Sequence, residues 1–307
     1  MRKKGSVIYE LTKNKALYLM TLPGIIFFFI FDYITYIGII IAFQDFDYSK
    51  GIFGSKFVGL RNIRFVIESG DLPRIVFNTL YLNLLFIFTG LIFSIGIAVL
   101  LNEITNPIYR KVSQSVSILP HFLSWTVVAM FLLTLCSPES GLINKVLKSM
   151  GLEPINFYGD PRPWPLLLTI LRIWKGAGWG SIIYLATITG IDPELFEAAR
   201  IDGASRLQCI RYITLPELKQ PAILLTLMGL GNIFKGDFGM IYALVGDNSL
   251  LFPTTDVIDT YVFRALRQLN DVGMSAAVGL MQSIVGFILV VIVNTLVKRI
   301  DEEAAIF

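Results

Sequence analysis

The chain has 307 residues, 54% of them hydrophobic and 16% charged, with a mean hydropathy of +0.67. That balance is too apolar and too poor in charge for an ordinary soluble domain, so lipid is the expected solvent for most of the chain. The formal charge of +3 is small and gathers into no basic stripe, which argues against nucleic acid as a partner.

Taken in order, the chain opens on Arg2-Lys3-Lys4, followed by an apolar run over Ala16–Phe43. A basic start before an apolar run also describes a secretory signal. This run is longer than a signal core and lacks a small-x-small cleavage site before Asp45, so an uncleaved first span is expected. Further apolar runs lie at Ile75–Leu101, Val116–Cys136, Leu166–Ile191, Pro221–Val245 and Val272–Val297. Each has about twenty residues or more, enough to cross a hydrocarbon core of about 30 Å as a helix. The expected fold is therefore an all-α integral membrane protein with six transmembrane helices. Residues 1–74 hold the N-terminus, first span and outer loop, residues 75–298 form a five-helix core, and residues 299–307 form a tail.

An even number of crossings puts both termini on one side, and Lys and Arg indicate which side. The basic start and the Lys298-Arg299 stop point to cytoplasmic termini, with Arg110, Lys111, Arg200, Arg206, Arg211 and Lys219 in the remaining inner segments. Segments 44–74, 137–165 and 246–271 then face outward, and segment 192–220 faces inward. Cys136 and Cys209 fall on opposite sides, so neither a disulfide nor a zinc site is expected.

Catalytic patterns are missing. The chain has no Gly-Lys dipeptide, hence no Walker A loop for a nucleotide phosphate. Its single histidine, His121, stands beside Pro120 with no nucleophile and carboxylate to complete a set. No catalytic residue, metal ligand or bound cofactor is expected.

The inner segment 192–220 is the most specific feature. Asp192-Pro193 offers an N-cap and a first-turn proline, and Glu194 places negative charge near the positive end of a helix. Leu195, Ala198 and Ala199 share one face, where the two alanines let another backbone come close. Gly203 marks a break, after which Ser205–Thr214 is expected to form a second helix ended by Pro216. The product is a bent helical pair at the membrane surface.

In wording and position, Glu197-Ala198-Ala199, Asp202-Gly203 and Leu215-Pro216 resemble the EAA loop by which permease subunits of ABC importers engage their ATPases. Phe57–Asn62, Asn78-Thr79, Leu119–Trp125, Ile173–Gly180 and Asp256–Tyr261 resemble the maltose-type sugar permeases, specifically the LplB-like group associated with oligosaccharides and polysaccharide fragments. Arg61 departs from the acidic residue expected after Gly59-Leu60. The resemblance covers about Lys15 to Lys298 and implies a type I ABC importer permease fold in a bacterial cytoplasmic membrane. It implies a second permease as partner, usually non-identical although the sequence permits a homodimer, with two ATPase subunits that use ATP and Mg, and an extracellular solute-binding protein. It further implies that Glu197 makes the charged contact with the ATPase, Ala198 and Ala199 pack in its groove, Gly203 permits the bend and Leu215-Pro216 aims the return.

The solute path is read from buried charge. An ionised group at a helix centre costs roughly 2.5–3.5 kcal/mol on insertion scales, so Arg172, Lys175, Lys235 and Asp237 should face a cavity or a partner. Trp174 and Trp179 flank Lys175, a composition suited to sugars, whose C–H faces lie on aromatic rings while polar groups bond the hydroxyls. The same residues would also serve as an interfacial belt with snorkelling cations. Glycines 229, 231, 236 and 239 surround Lys235 and Asp237 and would allow either an unwound turn or close helix packing. An importer for an amino acid or ion is the nearest rival function. A secondary transporter is further off, because neither inverted repeats nor an intramembrane carboxylate relay is present.

Overall fold

The computed structural model describes residues 14–139, 141–268 and 270–300. The basic start Arg2–Lys4, Lys13 and most of the expected tail lie outside the described residues. Apart from turns and loops, the described residues are helical, with one two-residue antiparallel ladder that pairs Gln44 with Phe57 and Asp45 with Lys56. It divides into two units, one of residues up to Glu68 together with Ala265–Leu280, the other of Ser69–Arg264 with the residues from Met281 on.

Among the described residues four helices are long and apolar enough to cross a bilayer: α1 (Lys15–Phe43), α2 (Leu72–Glu103), α5 (Trp164–Thr189) and α10 (Val272–Ile300). Two of the six expected runs are not single long helices. The third run is a pair, α3 (Pro107–Phe122) and α4 (Trp125–Leu135), bent by 94°. It would make a fifth span if counted as one. The cause is local: Pro120 sits in a tight 3₁₀ turn, Leu123 is extended, and the Ser124 hydroxyl accepts from the Val127 N–H at 3.3 Å to start α4 afresh. The fifth run is likewise two short helices, α7 (Lys219–Gly231) and α8 (Phe238–Val245), separated by the unwound residues 232–237.

In the first unit, α1 leaves most of its apolar side chains exposed, with Met20 at 79%. The Phe57–Asn62 element acts through Asn62, whose buried amide donates to the Ala42 and Gln44 carbonyls at 3.1 and 2.9 Å. It thereby closes the end of α1 against the ladder.

In the second unit, one core joins α2, α4, α5 and α8 around Trp164, Leu168, Leu82, Met240 and Ile241. A separate cluster joins the far ends of α2 and α5 through Ala98, Leu101, Tyr184, Leu185 and Ile188, with Leu218 inserted. Asn78 and Thr79 serve as anchors. The Asn78 amide donates to the Pro253 and Asp256 carbonyls, each at 3.2 Å, and the Thr79 hydroxyl accepts from the Ile258 N–H at 3.0 Å. Asp256 is buried, and its carboxylate accepts from Thr260 at 2.9 Å and Arg264 at 2.7 Å. A buried carboxylate left with neither partner would be far costlier than any gain from the pair itself.

Segment 137–165 is organised around Asn144, which is 1% exposed. Its amide donates to the Ser137 and Ile155 carbonyls at 3.2 and 3.0 Å, and its carbonyl accepts from the Ile155 N–H at 2.9 Å. Asn144→Ala removes the hydrogen bonds to the Ser137 carbonyl and to both backbone groups of Ile155, all partly buried, and is expected to cost about 1–3 kcal/mol. A lowered melting temperature of the detergent-solubilised protein checks this, and an unchanged one rejects the anchor role.

Candidate functional site

Two sites emerge, both in the second unit. The first is a cavity of about 800 Å³. Its α5 wall presents Arg172, Lys175, Gly176 and Trp179, which are spaced three and four residues apart and so fall on one helical face. The cations are handled differently. Arg172 donates to the Asp237 carboxylate and its guanidinium lies 5.9 Å from the Phe86 ring centre. The Lys175 ammonium donates to the His121 carbonyl at 2.7 Å and sits 5.2 Å from the Trp125 ring centre. His121 stacks on Trp179 at 4.6 Å, nearly parallel. The bend between α3 and α4 thus sets an aromatic and carbonyl wall against α5.

Opposite stands the unwound turn 232–237, which contributes Asn232, Lys235, Gly236 and Asp237 to the lining. Asp237 has two tasks. Its carboxylate pairs with Arg172 and also caps α8, accepting from the Met240 N–H at 3.0 Å. A carboxylate at the positive end of a helix is favoured by the aligned peptide dipoles as well. Among the described residues the Lys235 ammonium makes no hydrogen bond or salt bridge.

The second site is the polar loop that follows α5. Asp192 accepts from the Glu194 N–H at 3.0 Å and starts α6 (Pro193–Ile201). Gly203 has φ +78° and lets the chain turn back, with the Ala204 N–H donating to the Ala199 carbonyl at 2.9 Å. Ser205 and Gln208 then form a reciprocal capping box, with the Ser205 N–H donating to the Gln208 side chain at 2.7 Å. The next helix departs from expectation, because Pro216 does not end it. A wide π turn at Ile210–Thr214 opens the backbone ahead of Pro216, so the ring and the missing N–H are accommodated. The chain winds on through Leu218 into α7, the Ala222 N–H donating to the Leu218 carbonyl at 3.0 Å.

Glu197, Ala198, Asp202, Gly203, Leu215 and Pro216 are exposed, and Ala199 is half-buried. Large apolar side chains stand beside them in solvent, Ile201 at 86% and Leu207 at 78% exposure. Behind α6 lies a second cavity of about 530 Å³, bordered by Glu103, Phe196, Glu197, Arg200 and Arg206.

Residues 90–302 match the family described as "Binding-protein-dependent transport system inner membrane component". The chain belongs to this family. The permease is 37% identical over 301 residues to the polygalacturonan/rhamnogalacturonan transport system permease protein YteP of Bacillus subtilis (strain 168), covering 98% of this chain and 93% of that protein. It is 34% identical to Protein LplB of the same organism, over 95% and 92% of the two chains. Among solved structures it resembles a chain of a bacterial ABC transporter involved in the import of the acidic polysaccharide alginate, with TM-score 0.87, 33% identity, and coverage of 95% and 98%. The same likeness, TM-score 0.87 at 33% identity over 96% and 98%, holds for the alginate transporter in complex with its alginate pentasaccharide-bound periplasmic protein.

The chain is therefore a multi-pass membrane permease of the ABC importer class, a family of membrane components and not of catalytic subunits. Of the residues singled out in sequence, the cavity brings together Lys175, Trp179, Lys235 and Asp237, with Arg172 beside them. Trp174 does not join the lining and stands 47% exposed. Asn83, His121 and Trp125 belong to the permease cavity without having been assigned to it from sequence. The signal for His121 and Trp125 was the proline break that turns both toward α5. Among the described residues no group of His, Cys, Asp and Glu is arranged to hold a metal.

The double task of Asp237 is separable. Asp237→Asn keeps a capping oxygen and loses the charge, whereas Asp237→Ala loses both, so the alanine variant of the permease should be less stable by about 1 kcal/mol. Comparing the two melting temperatures checks this, and equal values would remove the capping role.

Proposed function

We propose that the chain is the transmembrane permease subunit of an ATP-driven importer in the bacterial cytoplasmic membrane, taking up acidic oligosaccharides or polysaccharide fragments by alternating access. The observation that carries this reading is one cavity holding Arg172, Lys175 and Lys235 against a single carboxylate, Asp237, beside the aromatic faces of Trp125 and Trp179. Cations recognise carboxylates through charge-assisted bonds, and aromatic rings cover sugar C–H faces. The likeness over nearly the full chain to a permease named for polygalacturonan and rhamnogalacturonan, and to a chain of a transporter that imports the acidic polysaccharide alginate, supports the same substrate class.

In this reading the chain crosses the membrane six times, the bent α3–α4 pair and the broken α7–α8 pair each counting once, with both termini in the cytoplasm. A second permease, two ATPase subunits that use ATP and Mg, and an extracellular solute-binding protein complete the importer. The likeness to a transporter solved with its periplasmic protein supports the last of these. The polar loop is the coupling element. Glu197 supplies the charged contact, and Ala198 and Ala199 allow close approach to the ATPase. Asp202 supports a partner contact as well, since a carboxylate at the negative end of α6 gains nothing from that helix. Gly203 permits the bend, and Leu215-Pro216 directs the return toward Leu218, which is anchored in the cluster at the ends of α2 and α5.

Coupling is tested in proteoliposomes holding the importer purified through this chain. Glu197→Ala, and Gly203→Pro, which forbids the positive φ, should each lower substrate-stimulated ATP hydrolysis about tenfold, the scale of a coupling free energy of about 1.4 kcal/mol. Stimulation intact in both variants rejects the coupling role. The substrate class is tested by uptake: Lys175→Ala and Lys235→Ala should impair galacturonate oligomers about tenfold more than neutral oligosaccharides of equal length, each lost ion contact being worth about 1.5 kcal/mol. Equal loss for both sugars overturns the acidic assignment.

A further inference from the structure

Wherever a helix unwinds in apolar surroundings, its released N–H and C=O groups must find partners. Around the turn 232–237 they find them in side chains from three other helices. From α2, the Asn83 amide donates to the Ile233 carbonyl at 2.8 Å and to the Lys235 carbonyl at 3.1 Å. From α10, the Gln282 amide donates to the Phe234 carbonyl at 2.5 Å and reaches Asp259 at 3.4 Å. From α9 (Ile258–Gln268), the Asp259 carboxylate accepts the Gly236 N–H at 2.5 Å. Three consecutive carbonyls and the next amide are thus all occupied.

We infer that Asn83, Asp259 and Gln282 are positioning residues of the transport path, which hold this turn unwound and so keep Lys235 presented to the cavity. The inference rests on reading that cavity as the path. Two features make the set specific to the unwound form. A regular helix would direct the carbonyls of Ile233, Phe234 and Lys235 along its own axis, leaving Asn83 and Gln282 without acceptors. Gly236 fits only because it has no side chain, since a Cβ there would lie 2.6 Å from Val257 and 3.0 Å from the Asp259 carboxylate. Asp259 also sits in the first turn of α9, where the helix dipole favours its charge.

The test reads the position of residue 235 by the reaction rate of Lys235→Cys with a charged methanethiosulfonate in the purified, assembled importer, with Cys209 replaced by Ser. Cys136, fully buried, stays. Gly176→Cys on the facing wall of the same cavity, where a Cβ meets no atom within 4 Å, is the control. Asn83→Asp and Gln282→Glu remove the donors at constant volume, and Asp259→Leu removes the acceptor, while Asp259→Asn keeps one. The first three are expected to slow labelling at 235 about tenfold, the scale of one buried hydrogen bond, with Asp259→Asn near the parent rate and labelling at 176 unchanged throughout. Unaltered labelling at 235 overturns the inference. A parallel loss at 176 also overturns it, because the cavity and not the turn would then have changed. Labelling is indifferent to the solute carried, so failure of the acidic-sugar reading, seen in uptake, is distinguishable from failure here.

Discussion

The need to satisfy every peptide group away from water governs this chain more than any single apolar contact. A continuous helix meets it internally, and α1, α2, α5 and α10 do so over most of their length. A break meets it only with help from other elements. The chain breaks twice at the cavity, between α3 and α4 and between α7 and α8, and the two breaks use different means. The first uses its own sequence, a proline-led 3₁₀ turn and the Ser124 cap. The second borrows Asn83, Asp259 and Gln282. A break maintained by other helices depends on where those helices stand, which makes it a natural point of response to motion.

Charge placement follows from the same geometry. Opening the fifth run creates a new helix start at α8, and a helix start favours an anion. Asp237 occupies that position and thereby draws Arg172 across from α5. Arg172 is then half-neutralised, and Lys175 is engaged by the His121 carbonyl and the Trp125 ring. Lys235, whose ammonium has no hydrogen bond or ion pair among the described residues, is the least engaged of the three cavity cations.

The polar loop was the most legible part of the sequence, because its signals are local. Asp192-Pro193, Gly203 and Ser205 each act on backbone within a few residues, and each does in the structure what its side chain dictates. Pro216 misled for a complementary reason: the π turn that accommodates it has no signature in single residues. The cavity lining was half legible. Helical spacing alone puts Lys175 and Trp179 on one face with Arg172, and it puts Trp174 about 100° from Lys175, so a stricter use of the period would have separated the two tryptophans. Asn83 and Gln282 were out of reach. Amides in apolar runs look like tolerated polar residues until the partners, some 150 and 48 positions away in sequence, are known.

Loop and cavity are joined by one short element. α7 follows directly on Leu218, clamped among Ala98, Leu101, Leu185 and Ile188, and ends at the unwound turn that carries Lys235. At 1.5 Å per residue its length is about 20 Å, and an intact helix of that size transmits displacement with little bending. Its two ends differ in stiffness. The Leu218 end is held by dense apolar packing, which resists change in volume, whereas the far end is held by a few directional hydrogen bonds, which yield to rotation. A push on the polar loop would thus be delivered to the turn and absorbed there as a change in which carbonyls Asn83 and Gln282 reach. Under the proposed coupling role, the place where this rod is broken is where force from the loop would become a change in what the cavity presents.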